Sequence, residues 1–138
     1  MGRDGEATPP PPDQARRRRA LVVDDESSIR LLVERMLGRH DFEVVCREDG
    51  LQGLEYVQQQ GAELDLVVMD LVMPRMGGRE AIAGIRELYP DLPILIVSGN
   101  EPGHQDTNSP RSFFLRKPFT LGEMRQAFEQ LRLSSISS

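Results

Sequence analysis

From Leu21 onward, short apolar runs of β-forming residues alternate with stretches of helical period, the rhythm of a sheet covered by helices. The runs predict strands over residues 20–23, 43–46, 66–69, 94–97 and 113–115. LVVM and ILIV have no polar position on either alternating face, which suits parallel strands buried on both sides. Ile29, Leu32, Val33, Met36 and Leu37 recur at i, i+3, i+4, i+7 and i+8, one face of a first helix that Gly38 closes. Leu51, Leu54 and Val57 predict a second helix ending near Gly61, and Ala81, Ile82, Ile85 and Leu88 a third that stops before Pro90. Thr120 with Glu123 reads as a capping box at the head of a last helix, with Leu121, Met124, Phe128 and Leu131 on its buried side. Residues 99–112, GNEPGHQDTNSPRS, carry no apolar side chain except prolines and cannot cover a sheet, so an irregular loop or a turn is expected there.

The 138 residues suit one domain with a single core. No apolar run approaches the roughly 18 residues that would suggest a membrane span. Residues 1–18, rich in proline and arginine, read as a disordered linker, 19–133 as the folded domain and 134–138 as a flexible tail. The net charge of −5 is uneven: five arginines and three acids fall in the first twenty residues, leaving twelve basic against nineteen acidic residues, or −7, in the rest. An acidic body argues against a nucleic-acid face, and the four arginines of residues 16–19 read as solvated linker. Cys46 is the single cysteine, so no internal disulfide is available, and the first residues lack the apolar core of a signal peptide. A reducing, cytoplasmic location is the expectation.

Chemistry collects at the ends of the strands. LVVDDE, residues 21–26, crowds Asp24 and Asp25 behind the first apolar run. Asp70 follows the third run, Ser98 the fourth, and Lys117 the fifth after one arginine. The carboxyl ends of parallel strands share one edge, where crevices bind ligands, so these residues converge on one site. Three neighbouring carboxylates repel, and without a cation one of them would be driven to protonate. Oxygen-only ligation favours Mg²⁺, whose octahedral shell keeps several waters. Lys117 is the only lysine against sixteen arginines, and a compact ammonium suits a small site better than a planar guanidinium. Each signal alone has a plainer reading: Asp24 and Asp25 as caps of the first helix, Ser98 as a turn residue, the lone lysine as chance. Their conjunction at strand ends favours the site. His40, at the predicted end of the first helix, and His104, in the polar loop, read as surface residues, and no phosphate-cradling glycine motif is present.

In order and spacing, LVVDDE, LVVMDLVMPRMGG, ILIVSG and FFLRKPF closely resemble the receiver domain of two-component response regulators, over about residues 19–133. The resemblance implies an α/β fold, a flavodoxin-like doubly wound sheet of five parallel strands in the order 2-1-3-4-5. By position it implies Asp70 as phosphoacceptor, Asp24 and Asp25 as the acidic pair holding Mg²⁺, Ser98 as the hydroxyl that meets the phosphoryl group and Lys117 as its counter-charge. Val72 would lend its backbone carbonyl to the metal, Phe114 would stand at the switch-aromatic position, and Lys117 to Pro118 would be a cis peptide. The implied partner is a sensor histidine kinase or phosphotransfer protein that donates from phosphohistidine.

Two other classes compete. A phosphatase of the haloacid dehalogenase type also uses an aspartate after a strand, but it needs a second acid two residues on, and that position holds the apolar Val72. A phosphorylation-independent adaptor would have no need of the carboxylate cluster. A phosphoacceptor with at most slow self-hydrolysis, not a turnover enzyme, is the reading favoured. Members of the family usually carry a fourth helix between the hydroxyl and the lysine; here it is expected to be rudimentary or missing, with residues 99–112 ordering on phosphorylation. The chain reads equally as a free-standing regulator or as the C-terminal receiver of a hybrid kinase, with the oligomeric state open.

Overall fold

The computed structural model describes residues 18–100 and 111–131. Among these the chain runs β1 (Arg18–Val23), α1 (Ser27–Gly38), β2 (Phe42–Arg47), α2 (Gly50–Gln60), a 3-10 turn (Gly61–Glu63), β3 (Leu66–Asp70), α3 (Gly78–Leu88), β4 (Ile94–Ser98), β5 (Ser112–Arg116) and α4 (Leu121–Gln130). All pairings are parallel, in the order β2-β1-β3-β4-β5. This is the flavodoxin-like doubly wound arrangement, with its topological switch between β1 and β3. The expectation of a rudimentary or missing helix between β4 and β5 falls on residues 101–110, outside the described residues, as does His104; the helix numbered α4 here is the one headed by the capping box.

The alternation along each strand divides the core into two layers. Ala20, Val22, Leu66, Val68, Leu95 and Val97 face the layer that contains Val33 and Leu37 of α1 and Met124 and Phe128 of α4. Leu21, Val23, Val67, Met69, Ile94 and Ile96 face the other, with Val57 of α2 and Ala81 and Ile85 of α3. Every residue of β3 and β4 is buried, as their uninterrupted apolar runs require. Each large side chain buried in this way contributes about 1.5–3 kcal/mol relative to exposure.

Several boundaries and faces differ from the sequence reading. β1 starts at Arg18, so the last two arginines of the basic run lie in the sheet: Arg18 stacks 4.5 Å over the Phe42 ring, and Arg19 pairs with Glu43 and Glu63. Asp70, Ser98 and Ser112 belong to strands and do not lie beyond them. Leu32, Leu51 and Leu88 are exposed, because each helix buries only the stripe it lays on the sheet. His40, expected at the surface, is half-buried. Its ring meets Phe128 edge-on at 4.7 Å, and burial first, then Arg18 and Arg125, lowers its pKa. The capping box is present: Thr120 Oγ1 accepts from the Glu123 amide at 3.1 Å, and Glu123 Oε1 accepts from the Thr120 amide at 2.8 Å.

Candidate functional site

Strand register brings the predicted residues together. Val23 pairs with Met69, so Asp24 and Asp70 stand one step further on at the ends of neighbouring strands. Asp70 itself pairs with Val97, and Ser98 pairs with Arg116, one residue before Lys117. The Lys117 amide donates to the Ser98 carbonyl at 2.9 Å, and the Lys117 to Pro118 bond is cis, as the resemblance implied. Asp25, Asp70, Val72, Ser98 and Lys117 line one open depression of about 420 Å³ with Glu26, Gly99 and Asn100. A larger one, about 640 Å³, lies at the opposite, amino ends of the strands between Arg18, Leu64, Tyr89, Pro93 and Arg111. Among the described residues, only Asp24, Asp25 and Asp70 gather three groups of metal-ligating type, so the smaller depression holds the chemistry.

Ligating oxygens of Asp24, Asp25 and Asp70 lie within 4.8 Å of one another. Asp24 is 1% exposed and Asp70 5%, whereas Asp25 faces solvent. Asp24 Oδ1 accepts from the Glu26 amide at 2.9 Å, and Oδ2 accepts from Lys117 Nζ at 2.9 Å. The same ammonium lies 3.6 Å from Asp70 Oδ1 and 3.6 Å from Glu26 Oε1. Burial, then the charge of Asp24, pushes the Asp70 carboxyl up to about 6, against the pull of Lys117 and the amides of Val72 and Leu71. Burial works against the charge of Lys117, but its bond to Asp24 and the charges of Asp70, Asp24 and Glu26 prevail and raise its pKa.

One ammonium therefore leaves the acids short of positive charge. The donor set is all oxygen, has one solvent-facing member, and contains a carboxyl pushed toward protonation, all of which fit a hard divalent cation such as Mg²⁺. The plainer role for the acid pair, capping α1, is not the one observed. Glu26 occupies the N-cap without a side-chain cap bond, and the α1 first turn contains no acid.

Ser98 is buried, and its Oγ accepts from the Asn100 amide at 3.2 Å. Phe114 lies half-buried in mid-β5 opposite Ile96, packed against the α2 and α3 layer and away from the carboxylates in sequence register. Val72 is 61% exposed at the rim of the depression. Glu26, beside Lys117, was not among the predicted site residues, although it is the third acid of LVVDDE.

Comparison with known proteins identifies the family. The family model described as "Response regulator receiver domain" matches residues 20–129. The chain is 32% identical over 107 residues to the sensor kinase CckA of Brucella abortus, covering 75% of this chain and 11% of that protein. It is 31% identical over 107 residues to the response regulator MprA of Mycobacterium leprae, covering 70% of this chain and 43% of that protein. Thus the chain spans less than half the length of these curated relatives. The crystal structure of a response regulator receiver protein from Sinorhizobium medicae superposes with a TM-score of 0.74 at 30% identity, covering 83% of this chain and 94% of that one. With its sheet order, its strand-end acids and these matches, the chain belongs to the response regulator receiver domain family.

Proposed function

We propose that the chain accepts a phosphoryl group on Asp70 from the phosphohistidine of a partner, with Mg²⁺ at the acid cluster, and signals through the resulting change of conformation. The observation that carries the reading is Asp70 itself, a buried carboxyl raised to about 6, beside Asp24 and 3.6 Å from Lys117. That is a nucleophile held next to one fixed positive charge and a place for another.

In the reaction, an Asp70 carboxylate oxygen bonds to phosphorus while the bond from phosphorus to the imidazole nitrogen breaks, leaving its electron pair on that nitrogen. Mg²⁺ at Asp24, Asp25, Asp70 and the Val72 carbonyl would supply charge that neutralises the incoming phosphoryl oxygens. Lys117 neutralises one more, and the Ser98 hydroxyl donates to another. With Ser98 drawn to the phosphoryl group, Phe114 on the next strand is the residue to carry the change outward.

The partner is a sensor histidine kinase or a phosphotransfer protein, in keeping with relatives named as a sensor kinase and a response regulator. A cytoplasmic location goes with such a partner in this reading. No helix among the described residues is long and apolar enough to cross a membrane. The domain is a phosphoacceptor and not a turnover enzyme, because Val72 offers no proton where a phosphatase would keep its second acid.

Incubation with Mg²⁺ and acetyl phosphate, followed by intact mass measurement, tests this. Wild type is expected to gain one phosphoryl mass and Asp70→Ala none; equal labelling of both, or of neither, rejects the reading. Val72, apolar at the rim, also limits the approach of water to the phosphorylated carboxyl. Val72→Asn is expected to lose the label about fivefold faster, ~1 kcal/mol off the barrier. Identical decay curves would remove that role from Val72.

A further inference from the structure

Asp49 and Arg75 lie outside the acid cluster but tie together the two loops beside it. Asp49 is the N-cap of α2, where its Oδ1 accepts from the Gln52 amide at 2.9 Å. Its Oδ2 accepts from both Nε (2.8 Å) and Nη2 (2.5 Å) of Arg75, 26 residues away in the loop after β3. The carboxylate is 6% exposed and the guanidinium side chain 56%. Burial pushes Asp49 up, but the Gln52 amide and the Arg75 guanidinium outweigh it and hold the carboxyl below its usual range.

Arg75 is in the left-handed region, φ 67°, where a residue with a Cβ is strained. Around it the Met76 amide donates to the Pro74 carbonyl at 2.8 Å, a three-residue turn. A second tie runs alongside: the Gly50 amide donates to the Met76 carbonyl at 3.0 Å, and a Cβ on Gly50 would stand 2.3 Å from that oxygen. At the base of the loop the Gly78 amide donates to the Leu71 carbonyl at 3.0 Å, and a Cβ on Gly78 would stand 2.1 Å from the Asp70 carbonyl. Between these ties lie residues 72–74. Pinned at both ends, the Val72 backbone is held at the rim of the acid cluster.

We propose that the Asp49–Arg75 pair is a positioning device for the cation site: by holding the strained turn at Arg75, it sets where the Val72 backbone stands relative to Asp24, Asp25 and Asp70. The proposal rests on the cation reading above. Groups that orient a metal's ligands without touching the metal lower its affinity by roughly 10–100-fold when removed. Two substitutions separate this role from mere support. Arg75→Gly removes the fork and the backbone strain together, while Asp49→Ser keeps an oxygen for the Gln52 amide and loses the charge.

Calorimetric titration of the unphosphorylated full chain with magnesium chloride, paired with amide exchange over residues 71–78 in chelator, decides it. Arg75→Gly, Arg75→Lys and Asp49→Ser are each expected to weaken magnesium binding by about tenfold and to speed exchange of the loop. Lysine fails to rescue because it lacks the planar fork, and the double variant is no weaker than the weaker single. Affinities within about twofold of wild type in folded variants overturn the proposal even if Tm falls, since lost support alone would move Tm and not the titration. A wild type that binds magnesium and takes the phosphoryl group beside such unaffected variants sinks this inference alone; a wild type that binds none sinks the cation reading as well. Arg75→Lys, the mildest change, carries the comparison if the others do not fold.

Discussion

Lys117→Ala is expected to destabilise the chelator-treated protein by about 3 kcal/mol near neutral pH, because it strands a buried carboxylate without its partner. Asp24 is 1% exposed and takes its Oδ2 bond from this ammonium, and Asp70 Oδ1 lies 3.6 Å from the same nitrogen. Denaturant unfolding with and without magnesium checks it, since added Mg²⁺ should restore much of the loss by returning positive charge to the same oxygens. Phosphoryl uptake from acetyl phosphate should fall by about 10²-fold or more, the usual loss for one charge-stabilising donor. Lys117→Arg should restore neither, because a planar fork replaces a point charge in a confined site. A loss of stability below about 0.5 kcal/mol, the size of an exposed pair, would mean that the ammonium is not the site's counter-charge.

The second large effect belongs to Asp70 and runs the other way: Asp70→Asn should stabilise the metal-free protein. In the folded chain the carboxyl is raised from its ordinary 3.8 to about 6, so between those values the native state binds more protons than the unfolded state. Stability therefore rises as pH falls through 6 toward 4 and is lost as pH rises through about 6. The full shift corresponds to ~3 kcal/mol, and solvent entering the open mouth of the site reduces it to ~2 kcal/mol. Asparagine removes the charge at nearly constant shape. In chelator at about pH 7.5 its gain should approach ~2 kcal/mol, disappearing near pH 4 and shrinking when magnesium is present. A variant no more stable than wild type at the higher pH would show that Asp70 carries no electrostatic strain.

Most of the site was legible because a polar side chain directly behind an unbroken apolar run has no other place than the carboxyl edge of a parallel strand. Asp24, Asp70 and Ser98 announce themselves in this way, Lys117 stands one arginine further on, and strand register does the rest. Helix faces were read less well. Leu32, Leu51 and Leu88 fit the helical period but stand at the margin of the buried stripe, which periodicity alone does not delimit. The partial burial of His40 depends on Phe128 arriving from the other end of the chain. The Asp49–Arg75 pair was not legible. An aspartate before a helix was a signal for the cap, but nothing local marks a left-handed arginine that reaches a residue 26 positions away.

The most direct measurement locates the phosphoryl group. Borohydride converts an aspartyl phosphate into homoserine, whose position peptide mass spectrometry then reads. After exposure to acetyl phosphate and magnesium, homoserine is expected at position 70 and should be absent when a chelator replaces the metal. Homoserine at position 24 or 25, phosphate found on Ser98 or a histidine, or labelling that ignores the chelator would contradict the account.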